Sequence, residues 1–574
     1  MKNRKLLKTW GLLASTTMLV PLVAGSLGGG PVAEAAPLNT TTDITIHKLV
    51  FDELPAGITL DDNGRVTGEI KNDGSATAAE DYFDDDTVLK YLEDAEFTMY
   101  DVTEKYWSTI NTEIPESESD PKEKYDMDAT FELIKDSGTS YTVVNSGRTD
   151  EFGQVTFEDV ADYETDEEYE GKNKVYLIVE TDAPPFTSNW SQPIVVMLPF
   201  HNEADEVVEE VHLFPKNLEV GFDKSLTGGT TQTIEVNGET INYADFNKGA
   251  EINYNIEFMM PLNINANKDE DEKLYTQFDI TDTPTENLKY KSLGTPVLEV
   301  FDGPDWTAIT DLELGTDYTV VPSETDGGFT VSFQMEDATL DKLGDYAGQQ
   351  VRLNYVMTLT EDAEPQMFED NTATITFEHN GNTITDTDPG EKVTTGGHHF
   401  YKYDGSKGNN ETAVADAEFI VGRTVTENET TTTEYAQFTD AQGELITDAT
   451  DTKVAATITW TTDKANATIF KTPASGEFSV EGLAYGSYFV EEIKAAPGFV
   501  LPNDPITNFE VNENSYLTTM NDPTELSDPE NIVNYPKGTL PSTGGTGIFA
   551  FLAIGTALMM GAYLWFKNSK KQEV

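Results

Sequence analysis

The sequence predicts an all-β protein built as tandem β-sandwiches, and three observations point that way. Short segments that alternate apolar and polar residues, such as Thr42-Asp43-Ile44-Thr45-Ile46 and Asn371 to Phe377, recur between turns rich in Gly, Asn and Asp. Period-two segments of that length put one face on a core and the other in water. The apolar side is strongly aromatic, with 24 Tyr and 29 Phe, which argues for packed cores in spite of a net charge of -67. The chain also repeats itself. Ala95-Glu96-Phe97 returns as Ala417-Glu418-Phe419, and Gly153-Gln154-Val155-Thr156-Phe157 as Gly476-Glu477-Phe478-Ser479-Val480. Tyr176-Leu177-Ile178-Val179-Glu180 returns as Tyr488-Phe489-Val490-Glu491-Glu492, each followed by an Ala-Pro-x-Phe, Ala183 to Phe186 and Ala496 to Phe499. The shared order makes the first and last domains copies of one fold.

In chain order, Lys2, Arg4, Lys5 and Lys8 precede an apolar stretch from Trp10 to about Val23. Ala33-Glu34-Ala35 then has the small-x-small form of a signal-peptidase site, so residues 1–35 read as a signal peptide. Residues 36–217 form the first domain, with an insertion after its opening strand and two short helical segments, Thr87 to Leu92 and Ala129 to Lys135. Residues 218–394 form a middle domain without the repeat marks. The Pro-Gly and Gly-Gly of Asp386 to Gly397 suggest a linker before the last domain, 395–538. Residues 539–574 hold Leu540, Pro541, Ser542, Thr543 and Gly544, then an apolar run from Gly547 to Phe566, then Lys567, Lys570 and Lys571. A run of about 20 residues is long enough for one transmembrane helix, and the lysines after it hold the tail in the cytoplasm.

Composition excludes several functions. With 103 acidic residues against 36 basic ones, neither nucleic acid nor an anionic membrane surface is a suitable partner. Six histidines occur, with no His-Glu-x-x-His or comparable spacing, so no metal site and no cofactor is expected. Asp61-Asp62-Asn63-Gly64 lacks the later glutamate of a calcium loop and reads as a polar turn. There is no cysteine, so this exported protein needs core size or another cross-link in place of disulfides.

Strand parity suggests what that cross-link is. Same-parity residues of a strand share a face. Lys48 then sits with Ile44 and Ile46, Glu180 with Tyr176 and Ile178, and Asn217 with Val211 and Leu213. Lys224 sits with Val220 and Phe222, Asp282 with Phe278 and Ile280, and Asn371 with Ala373, Ile375 and Phe377. Lys402 sits with Phe400, Glu492 with Tyr488 and Val490, and Asn534 with Ile532. Each domain thus offers an early lysine, a central acid and a late asparagine on apolar faces. A single polar residue at a strand end commonly just reaches solvent, but one trio in one order three times over is poorly explained that way. Burial favours a neutral amine nucleophile and a protonated carboxyl group. That acid can polarise an asparagine carboxamide and pass a proton to departing ammonia. The product is a Lys–Asn isopeptide bond tying first strand to last.

With these residues in view, the chain resembles the major, or shaft, pilins of Gram-positive sortase-assembled pili. Leu540-Pro541-Ser542-Thr543-Gly544 with its span and basic tail resembles their cell-wall sorting signal. Tyr488 to Phe499 resembles the pilin E-box, with Glu492 as its acid, and Phe214-Pro215-Lys216-Asn217 resembles the pilin motif. The resemblance implies immunoglobulin-like, collagen-adhesin-type domains with self-formed isopeptide bonds, and Glu180, Asp282 and Glu492 as their catalytic acids. Asp282 is chosen on its face and on the resemblance, with Asp279 as the alternative. It also implies that a sortase cysteine attacks after Thr543 and that Lys216 of a neighbouring subunit accepts the acyl group. A regular strand that turns Asn217 inward turns Lys216 outward, and the acids from Glu203 to Glu210 would favour its ammonium form. The implied partners are further copies of the chain, pilus-specific and housekeeping sortases, minor pilins, peptidoglycan and, if the fibre has one, a host ligand. The implied location is the cell wall and its surface pilus, after transient membrane anchoring. No turnover enzyme is expected, since no nucleophile–His–acid set is recognisable. A non-polymerising wall-anchored adhesin is the alternative.

Overall fold

The computed structural model describes residues 40–51, 90–113, 141–201, 207–407, 412–449 and 455–538, less a few positions within them, and short pieces at 18–19, 59–60, 66–67, 74–76, 552 and 554–563. The signal peptide, save the two-residue strand Met18–Leu19, lies outside the described residues, as do the Asp61 to Gly64 turn and the Ala129 to Lys135 helix. So do the pentapeptide from Leu540 to Gly544 and nine of the twenty residues of the apolar run after it, whose residues 552 and 554–563 are helical. Among the described residues no helix is long and apolar enough to cross a membrane.

Between residues 40 and 218, Thr41–His47 lies between Glu210–Leu213, which runs parallel to it, and Gln154–Ala161, which runs antiparallel. A break at Lys48 and at Phe214-Pro215 carries the first pair onward as Leu49–Phe51 beside Lys216–Leu218, again parallel. The facing sheet orders Ile194–Leu198, Lys174–Asp182, Glu96–Asp101 and Thr142–Arg148. Ile44, Ile46, Phe97, Phe157, Tyr176, Ile178, Val211 and Leu213 fill the space between the sheets. The outer face of Lys174–Asp182 is covered as well. Val175 and Leu177 pack there with Val102 and Tyr106, at the start of a helix over Thr103–Glu113 that the sequence pattern had not suggested. Lys90 and Tyr91, expected in a helix, instead form a short strand against Leu49 and Val50. Pairing to that edge overrides their local preference.

Residues 396–536 repeat this topology. Gly396–Asp404 lies between Glu530–Pro536, parallel, and Glu477–Leu483, antiparallel, and Gly486–Lys494 pairs with Glu418–Glu427 in the other sheet. The repeat extends to single hydrogen bonds. Thr149 N donates to Ala95 O and Thr472 N to Ala417 O, at 2.9 and 3.0 Å. Asp94 and Asp416, each just before the Ala-Glu-Phe segment, share a φ of 63°.

The middle unit is organised differently. One sheet orders Asp223–Thr227, Glu251–Met259, Gln350–Leu359 and Leu288–Asp302, and the other orders Phe329–Phe333, Tyr275–Pro284, Asn371–His379 and Asn382–Asp388. A large aromatic core separates them, including Phe258, Phe278, Phe333 and Phe377. Residues 386–397 are not a linker. Lys392–Thr394 is a strand parallel to Tyr243–Asp245, and Thr394 and Thr395 are buried.

Candidate functional site: three buried amine, acid and carboxamide clusters

In the first unit the break after His47 places the Lys48 side chain inside, between the sheets, fully buried. Its Nζ lies 3.0 Å from Glu180 Oε2 and 2.5 Å from Asn217 Oδ1, while Asn217 Nδ2 donates to Glu180 Oε1 at 2.9 Å. Ser191 N donates to Glu180 at 2.5 Å, and the Phe97 ring lies 5.5 Å from the amine. Burial is the main influence on Lys48 and pushes its pKa down to about 8, against the opposing attraction of Glu180.

The third unit repeats the arrangement. Lys402 Nζ donates to Glu492 Oε2 at 2.7 Å, and Asn534 Nδ2 to the same oxygen at 3.2 Å, with Phe419 beneath the amine at 5.2 Å. All three residues are buried. Desolvation lowers the Lys402 pKa and raises that of Glu492, so burial favours the neutral form of both.

In the middle unit Lys224 Nζ donates to Asp282 Oδ2 at 2.7 Å, and burial pushes its pKa down to about 8. Asp279 is on the other side of its strand, paired with Gln277. Here the lysine bonds the backbone carbonyl of Asn371, at 2.6 Å, and not the carboxamide. The geometry also differs from the expectation of a first-to-last strand tie. Asn371 opens a strand that others follow, and it shares a sheet with Asp282, whereas Lys224 comes from the opposite sheet. A Lys224–Asn371 bond would therefore join the two sheets. In the outer units it would join neighbouring parallel strands.

Two glycines support the outer clusters. Gly153 and Gly476 have φ of +69° and +75°, and a Cβ on either would lie 2.7 or 2.5 Å from the carbonyl oxygen of Lys48 or Lys402. Their own carbonyls accept the N–H groups of those lysines at 2.7 and 2.8 Å. Both glycines open a repeated motif, so the repeat carried this signal. The Ser191 amide had no such signal, because it reaches Glu180 only through the fold.

Lys216 departs from the expected exposed ammonium. It is half-buried, and its Nζ turns back to Phe214 O at 2.9 Å. Desolvation and then the charge of Lys48 push its pKa down to about 8. Of the upstream acids, Glu203, Asp205 and Glu206 lie outside the described residues. Asn217 is buried beside it, as strand alternation requires. Thr543, its proposed partner, lies outside the described residues.

Amines, acids and carboxamides are thus buried together in three successive β-sandwiches. Comparison supplies the family. Residues 39–218 match the Gram-positive pilin subunit D1, N-terminal domain. Residues 399–524 match a prealbumin-like fold domain, and residues 532–574 match the LPXTG cell wall anchor motif. The chain is a Gram-positive pilin subunit, a component of a sortase-assembled surface pilus anchored to the cell wall. Among solved structures it is similar to the full-length RrgB pilus protein of Streptococcus pneumoniae, at 17% identity over 88% of this chain and 100% of that one, with a TM-score of 0.40. The major pilin SpaD of Corynebacterium diphtheriae gives 17% identity over 88% and 99%, with a TM-score of 0.41. BcpA, the major pilin subunit of Bacillus cereus, gives 13% over 87% and 100%, with a TM-score of 0.38. No curated protein sequence matches the chain.

Proposed function

We propose that this pilin is the shaft subunit, polymerised head to tail through an amide between the Thr543 carbonyl and Lys216 Nζ of the next subunit, and not a catalyst with turnover. Such a head-to-tail joint does not close on itself and gives an open fibre. Its units are residues 36–217, 218–394 and 395–538, each closed by an isopeptide bond: Lys48–Asn217, Lys224–Asn371 and Lys402–Asn534. In each, the neutral lysine amine attacks Cγ of the asparagine. The Nζ–Cγ bond forms, the Cγ–Nδ2 bond breaks, and one proton passes from Nζ through Glu180, Asp282 or Glu492 to the nitrogen that leaves as ammonia. The observation that carries the reading is the buried lysine–acid contact at 3.0, 2.7 and 2.7 Å in three units. Minor pilins join by the same sorting chemistry, a housekeeping sortase passes the base of the fibre to peptidoglycan, and the assembled fibre meets any host ligand.

The acceptor is tested with Lys216→Ala and Lys216→Arg in immunoblots of boiled wall extracts. The expected result is loss of the high-mass ladder with monomer still wall-linked. Arginine fails as alanine does, since guanidinium stays protonated. A ladder that persists in both variants would move the acceptor to another lysine. A wild-type chain with no ladder would favour the adhesin reading.

A further inference from the structure

The middle unit handles its acid differently from the other two. Glu180 and Glu492 each reach both the lysine and the asparagine amide. Asp282 is one methylene shorter. Its Oδ2 takes Lys224 Nζ at 2.7 Å and a second donor, the Tyr355 hydroxyl, at 2.6 Å. Tyr355 is buried on Gln350–Leu359, in the sheet that carries Lys224. Its ring is held on two sides, stacked on Tyr254 at 5.4 Å and 14° and set edge-on to Phe329 at 4.9 Å. A ring so packed cannot swing, so its hydroxyl is fixed in space.

The rest of Asp282 is left available. Its Oδ1 is buried with no hydrogen-bond partner among the described residues, and so are both amide atoms of Asn371. The Asn371 carboxamide nevertheless lies close enough to the Tyr254 and Tyr355 hydroxyls to act on them electrostatically, against the larger effect of burial. The carboxylate of Asp282 thus accepts two donors on Oδ2 and none on Oδ1.

We propose that Tyr355 is a positioning residue for the Lys224–Asn371 bond: its hydroxyl pins Oδ2 of Asp282 beside the lysine amine and so leaves Oδ1 to take the Asn371 carboxamide. The inference rests on the isopeptide reading above. The covalent step is unchanged: Nζ–Cγ forms, Cγ–Nδ2 breaks, and the proton travels from Nζ through Asp282 to the departing ammonia. Tyr355 itself gains and loses nothing. It decides which oxygen meets which partner, a task a glutamate's extra reach performs in the outer units.

The test uses the full chain, recovered unfolded in denaturant and refolded in detergent buffer at a single pH. Loss of ammonia is followed by intact mass, and the Lys224–Asn371 peptide by mapping. In Tyr355→Phe the middle bond should form at least tenfold more slowly, while the two outer bonds keep the wild-type rate. 4-Aminophenylalanine at position 355, which restores a donor, should recover most of the rate. Asp282→Ala gives the melting temperature of an unlinked middle unit, and Tyr355→Phe should melt no lower than that. A Tyr355→Phe chain that links the middle unit at the wild-type rate overturns the role of Tyr355 alone. So does slow linking with no recovery by the aniline, which would mark a packing defect. A wild-type chain that never loses the middle ammonia overturns the isopeptide reading with it.

Discussion

Lys216 pairs in register with Leu49, one residue past Lys48 on the neighbouring parallel strand, and the two amines feel each other. The proposed internal nucleophile and the proposed external one are therefore electrostatically coupled. An isopeptide bond at Lys48 turns an ammonium into a neutral amide and removes the smaller of the two influences that depress Lys216. Desolvation, the larger, stays.

The consequence is a measurable difference between linked and unlinked chains. Lys216 in the linked chain should titrate above its value in Asn217→Ala, where Lys48 keeps its amine, yet below the ordinary lysine value of 10.5. Reductive ¹³C-methylation and NMR titration would read both. Equal values in the two chains would mean that the Lys48 charge does not reach Lys216.

Loss of the acid in the last unit should leave it folded but open. Glu492→Ala should weigh one ammonia more than wild type, with Lys402 and Asn534 unlinked. A closed loop of more than about 100 residues constrains the unfolded chain by roughly 4–5 kcal/mol on the entropic model, and the variant also leaves Lys402 buried without its partner. For a domain of this size that is a drop on the order of 10–20 °C in Tm. An unchanged mass would hand the proton relay to another carboxyl group.

Much of this arrangement was legible in the chain, because alternation in a strand fixes which side chains share a face. Lys48, Glu180 and Asn217 are buried as their parity with Ile46, Ile178 and Leu213 predicts, although the strands break at Lys48 and at Phe214-Pro215. What alternation cannot give is which strands become neighbours. The middle lysine and asparagine occupy opposite sheets, a matter of long-range pairing that local pattern does not encode. Tyr355 is likewise one aromatic of a core strand until the fold carries its hydroxyl to Asp282. Lys216 shows a third limit. Outward direction does not mean exposure, since its side chain folds back over Phe214 O.

The repeated glycines give a test of local geometry. Gly476→Ala meets both a positive φ and the Lys402 carbonyl, and a strained residue of that kind costs about 1–3 kcal/mol. It should also slow formation of the Lys402–Asn534 bond, because relief of the clash moves the lysine backbone. Gly443→Ala is the control, with a φ of +80° and open space around it. It should lower Tm only by the backbone term and leave the rate of ammonia loss untouched. Equal effects on that rate would show that the contact with Lys402 is immaterial.

The last prediction concerns pH and the junction between the first and middle units. His379, fully buried at the end of Asn371–His379, sets Nε2 3.1 Å from Asp182 Oδ2 and Nδ1 3.3 Å from Asp94 Oδ2. Arg148 joins both aspartates and lies 3.8 Å from Glu96, while Asn263 bonds Asp182 and Asn380 bonds Asp94. Tyr275 packs on the imidazole at 4.8 Å. Burial works against the imidazolium, but the two aspartates outweigh it and raise the His379 pKa above its ordinary 6.5. A group raised on folding contributes stability that is complete below the unfolded value and is lost as pH rises through the folded one. The charged ring can donate to an aspartate from each nitrogen, whereas the neutral ring presents a lone pair to one of them. The junction should therefore be tighter at pH 6 than at pH 8. Hydrogen exchange in residues 92–96 and 377–382, corrected for intrinsic rates, should show protection falling several-fold over that range. In His379→Gln, which cannot titrate, the dependence should disappear while Arg148 still bridges the aspartates. Protection that is flat with pH in the wild-type chain, or that falls equally in both chains, would rule out His379 as the titrating group of this junction.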